Sequence, residues 1–77
     1  MLGKSLISES TARQIIDLLL RQSGESQDLA AHLYTQTSGE EFRECGPLIA
    51  AVTYALYEEG LKPLFKLYPH LKPEGLL

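Results

Sequence analysis

From Leu48 to Tyr57 the chain reads LIAAVTYALY, and Thr53 is the only plainly polar residue in that run. A helix apolar on every side is normally enclosed by other helices or by a partner subunit. The chain around it has 77 residues, one domain at most. A chain this short buries only a little over ~60% of its unfolded surface. Small chains make up the deficit with disulfides, metals, close helix packing or oligomerisation.

Disulfides are closed to it, because Cys45 is the only cysteine and a bridge within the chain needs two. A lone cysteine also fits a reducing compartment better than a secreted scaffold. Cys45, His32 and His70 lack the paired spacings of a structural zinc site. Helix packing and self-association remain.

The elements follow from caps and periods. Residues 1–8 read as a lead-in, with Leu2, Leu6 and Ile7 available to pack back on a core. Ser8 or Ser10 suits an N-cap, its oxygen accepting from an orphan N–H of the first turn. Ala12, Ile15, Ile16 and Leu19 follow a helical period, and Gly24 reads as the residue just past a helix end. The first helix is therefore expected over about 10–23. Ser26 then caps a second helix carrying Leu29, Ala30, Leu33 and Tyr34 on one face, which Gly39 ends. The short link between them favours a helical hairpin.

Cys45-Gly46-Pro47 reads as an interruption, since proline removes a donor and clashes with the preceding turn. Proline is welcome at the first helical position, so a fresh helix is expected from Pro47 to Glu59. Whether 40–59 is one kinked helix or two stays open at this stage. Pro63 opens a short helical turn over 63–68, Pro69 stops it, and 69–77 reads as a loosely ordered tail. Strand signals are poor, with no alternating β-branched runs and no Asn-Gly or Asp-Gly turn. The expected fold is all-α: a bundle of three to four helices in a single domain, 1–77.

Few chemical constellations survive inspection. Cys45 precedes the helix expected at Pro47, a place where a dipole lowers a thiol's pKa. A nucleophilic cysteine needs a base, and neither histidine is placed by local sequence to supply one. Glu40, Glu41 and Glu44, with Glu58 and Glu59, read as solvated carboxylates at helix ends rather than an acid–base pair. The glycines are scattered singly, so no phosphate loop or dinucleotide fingerprint is present. No catalytic residue, metal or cofactor is expected.

The opening MLGKSLISES lacks an apolar core of signal-peptide length, and no segment approaches the ~20 apolar residues of a membrane span. The expected location is the cytoplasm.

IIDLLLRQSGESQDLAAHL (15–33) and YALYEEGL (54–61) resemble segments of winged helix-turn-helix regulators. That resemblance implies a DNA-binding regulator, with Lys62, Lys66, Lys72 and Arg43 on phosphates. The chain departs from the pattern where bases would be read. A recognition helix needs Arg, Lys, Asn or Gln aimed at base edges, and PLIAAVTYALY offers none. The formal charge of −3 also makes nucleic acid an unlikely partner.

The preferred expectation is a non-enzymatic protein–protein interaction module that forms a homodimer. Aromatics with a polar handle are enriched at interface cores. The residues expected to carry the contact are Leu48, Val52, Tyr54, Leu56, Tyr57, Leu61, Leu64, Phe65 and Tyr68.

Overall fold

The computed structural model describes residues 6–74. Among them every regular element is helical, and the architecture is a two-helix hairpin. Helix α1 runs Glu9–Gln36 and helix α2 runs Gly39–Ala55. The chain continues without a break through a π-helical segment, Leu56–Leu61, into α3, Lys62–Leu67. A 3₁₀ turn, Pro69–Leu71, follows. The all-α expectation stands, while the three-to-four-helix bundle is replaced by two long antiparallel arms.

The largest correction is at Gly24. The helices expected over 10–23 and from Ser26 are one helix of 28 residues, so the segment resembling a helix-turn-helix does not turn. Burial explains the continuity. Ala12, Ile16, Leu19, Ser23, Ser26, Ala30 and Leu33, then Thr37 at the C-cap, are the buried or half-buried positions along α1, apart from Glu9 and Leu20. They recur at steps of four and three, the seam of a helix packed along a neighbour. Ser23 and Ser26 fall on that seam, where their small size lets α2 approach. Gly24 falls off it, with nothing within 4 Å of where a Cβ would stand. A mid-helix glycine costs about 1 kcal/mol relative to alanine, and the seam on either side outweighs that.

The real turn lies at Thr37-Ser38. Thr37 leaves the helix in an extended conformation while its N–H still donates to the Leu33 carbonyl at 2.9 Å. Ser38 is the N-cap of α2, its hydroxyl oxygen accepting from the Glu41 N–H at 3.1 Å. Glu40 and Glu41 then occupy the first turn, where negative charge suits the dipole. Gly39 begins a helix rather than ending one.

Pro47 is also a correction, because α2 passes straight through it. Cys45 consequently sits in the helix interior rather than before an N-terminus, and the dipole argument for an activated thiol lapses. Glu58-Glu59-Gly60 does not close the helix either. The Lys62 N–H donates to the Tyr57 carbonyl, a five-residue step that widens the turn just before Pro63. In a regular α-helix the Pro63 ring would press on the carbonyl of Glu59, and a π turn moves that carbonyl away. Gly60 belongs to the same segment and lets α1 come close: a Cβ there would stand 2.6 Å from Leu19 Cδ1.

The core gathers at one end, which we call the base. Ala12 and Ile16 of α1 meet Leu61, Leu64 and Phe65, with Ile7, Leu19, Leu20, Tyr57, Tyr68 and Leu71 packed around them. Tyr68 closes this end, its hydroxyl donating to the Ile7 carbonyl at 2.7 Å. His70 Nε2 lies 3.1 Å from Glu9 Oε1. Of the lead-in, Ile7 packs on the core and Leu6 is fully exposed; Leu2 lies outside the described residues, as do the last three residues of the expected tail.

Candidate interaction surface

Away from the base, the hairpin does not close. Between residues 17 and 60 no residue is buried, and the helix expected to be enclosed on all sides buries none of its residues. Leu48 is 70% exposed and Val52 53%. Two helices bury one stripe each against the other, and α2 is apolar well beyond one stripe.

The exposed apolar residues are organised. Val52 of α2, Leu56 at the start of the π-helical segment and Leu29 of α1 line an open groove of about 380 Å³ between the arms, with Gln22, Glu25 and Ser26. Gln22, Glu25 and Leu29 belong to a row that starts at Ile15 and Leu18, again in steps of three and four. This row runs beside the α1 seam, so it faces one side of the hairpin. Ile15, Leu18 and Leu29 are all exposed. Leu48 lies one turn from Val52 and extends the face toward the turn. The result is a largely apolar surface along both arms, with Gln22 and Glu25 at its middle.

The nine residues expected at an interface therefore divide. Leu48 and Val52 of α2 and Leu56 just beyond its end share the groove side. Tyr54, two residues from Val52, points to another side of the helix and is 67% exposed. Leu61, Leu64 and Phe65 are core residues, and Tyr57 and Tyr68 pack against that core. Ile15, Leu18 and Leu29 were absent from the expected set. Their signal was present as a second row beside the first, which marks a helix with apolar residues on more than the one face its hairpin partner covers.

Charge is uneven along the molecule. The half nearer the turn, residues 22–52, has five carboxylates (Glu25, Asp28, Glu40, Glu41, Glu44) against Arg43 alone, a net −4 with His32 neutral. The described residues of the base half carry five carboxylates (Glu9, Asp17, Glu58, Glu59, Glu74) and five cations (Arg13, Arg21, Lys62, Lys66, Lys72), a net of zero. Lys62 is engaged by Glu58 at 3.3 Å. Arg43 lies roughly 30 Å along the helix from Lys62, so the residues expected to hold phosphates do not form one patch.

Chemistry is sparse elsewhere. Among the described residues no three His, Cys, Asp or Glu side chains are grouped to hold a metal ion. Cys45 is half-buried and free. The Glu9 carboxyl is held below its usual range by the hydrogen bond from His70, with Arg13 at 3.2 Å assisting. Among the described residues no helix is long and apolar enough to cross a membrane. Compared with family models, curated proteins and solved structures, the chain matches none.

Proposed function

We propose that the chain is a non-enzymatic protein–protein interaction module that acts as a homodimer, the open faces of two hairpins closing on each other as a four-helix bundle. The observation carrying this reading is the apolar face itself: Ile15, Leu18, Leu29, Leu48 and Val52 along both arms are left exposed by the chain's own fold, with Leu56 half-buried beside them in the groove. Its scale supports the same conclusion. The radius of gyration is 15.4 Å, against about 11.5 Å for a compact domain of this length. The accessible surface is 5773 Å², against about 4,700 Å² for a compact monomer of 8.6 kDa. The whole molecule extends 50 × 22 × 19 Å, so one full side of the hairpin is of the scale of the roughly 800 Å² per partner of a standard interface.

A second copy is an occupant whose shape and polarity match by construction. Helical hairpins pair readily into four-helix bundles, and a two-fold interface uses one patch twice. Sedimentation over a wide concentration range tests this. The wild-type chain is expected at twice 8.6 kDa, and Val52→Asp at 8.6 kDa with its helical circular dichroism retained, since the base core is untouched. A wild-type chain that stays monomeric to millimolar concentration would sink the homodimer.

A further inference from the structure

We infer that the two copies pair tip to base, each α1 lying antiparallel on the partner's α1 about a two-fold axis at Gln22, and each α2 likewise on the partner's α2. This rests on the dimer reading above and supplies its alignment. Two hairpins can stack their open faces with the turns together or at opposite ends, and both arrangements are closed and two-fold. Apolar area does not separate them.

Charge does. With the turns together, two ends of net −4 each share one end of a bundle, closer together than screening removes at a Debye length of ~8 Å. With the turns apart, each acidic end lies beside the partner's base, where five cations balance five carboxylates. Like-charge juxtaposition is a principal means by which interfaces reject a wrong register.

The row on α1 is centred for this arrangement. Ile15 and Leu29 lie seven residues to either side of Gln22, so the antiparallel alignment seats Ile15 of each copy on the partner's Leu29. Gln22 then meets the partner's Gln22. An amide is both donor and acceptor, so two of them satisfy one another across a two-fold axis. At the rim, Arg21 comes within two residues of the partner's Glu25, about 3 Å along the axis. The polar middle of the face thereby acquires partners of matching chemistry.

The test is a distance between the two turns. In a Cys45→Ser, Glu40→Cys chain, nitroxides are attached at position 40 and their separation is read by pulsed electron resonance. The 1.5 Å rise per residue gives roughly 40 Å with turns apart and under about 25 Å with turns together. A separation near roughly 40 Å, together with disulfide formation between Ile15→Cys and Leu29→Cys chains mixed in the same Cys45→Ser background, supports the alignment. A dimer with the short distance overturns the alignment and leaves the dimer standing. A monomer in sedimentation overturns both.

Discussion

The two halves of this hairpin are built from similar residues and end up in different physical states. At the base, Ile16, Leu61, Leu64 and Phe65 are buried because a third element is present: α3 and the 3₁₀ turn fold over the α1 N-terminal half, and Tyr68 and His70 tie that layer to Ile7 and Glu9. Toward the turn there is no third layer. Leu29, Leu48 and Val52 are as apolar as the base residues, yet they face outward. What holds that half together is the seam, the Ser38 cap, and an edge-on contact of Tyr34 with Phe42 at 5.3 Å. Hydrophobic residues become a core only where enough elements converge to surround them, and two helices supply one shared stripe.

The sharpest way to break the comparison is to remove the base. Phe65→Ala is expected to cost about 3–5 kcal/mol, a large part of the stability of a small domain. Tyr34→Ala near the turn is expected to cost only about 0.5–1.5 kcal/mol. Urea unfolding followed by circular dichroism compares the two, and equal losses would show that the halves are equally packed.

Pro47 offers the next largest effect, in the opposite direction. It lies exposed within α2, where proline is disfavoured by about 3 kcal/mol relative to alanine. Pro47→Ala is expected to raise the urea midpoint, by as much as about 3 kcal/mol in stability. A lower midpoint would show that the proline ring shapes the open half rather than being merely tolerated there.

Gly24→Ala is expected to stabilise by about 0.5–1 kcal/mol, since the site is helical and open. The same change would destabilise if Gly24 were a left-handed helix terminator, so its sign decides between one helix and two.

The smallest effect is at the base and depends on pH. The Glu9 carboxyl is depressed by its bond from His70, so its contribution is fully present above the ordinary glutamate range. It fades as pH falls below about 4.3 toward the depressed value. The stability difference between wild type and Glu9→Gln should shrink over that acid interval. A difference constant with pH would show that the His70 contact has no electrostatic part.

Several features were legible in the residues. The helical class, an N-cap at one of the two serines Ser8 and Ser10, and a short helical turn after Pro63 all follow from local chemistry. The misreadings share a cause. Gly24, Gly39 and Pro47 read as punctuation in the sequence because each is locally unfavourable in a helix. At Gly24 and Pro47 the seam with the opposite arm outweighs that cost, and at Gly39 the real boundary is set by Ser38 followed three residues later by Glu41, a capping-box spacing that Ser26 lacks. The nine residues expected at an interface divide between core and exposed face for a related reason: residue type cannot say whether Phe65 or Val52 is the one that a third layer covers.

Sequence alone determined that this chain is helical, that it has no disulfide to lean on, and that it carries more apolar helix surface than its length encloses with ease. Those properties are local or compositional. Tertiary structure decided where the chain turns, which leucines form the core, and which side of the hairpin stays open. Each of those depends on energies shared between residues far apart in the chain, such as Leu19 against Gly60 and Tyr68 against Ile7, and no single window of sequence contains both partners.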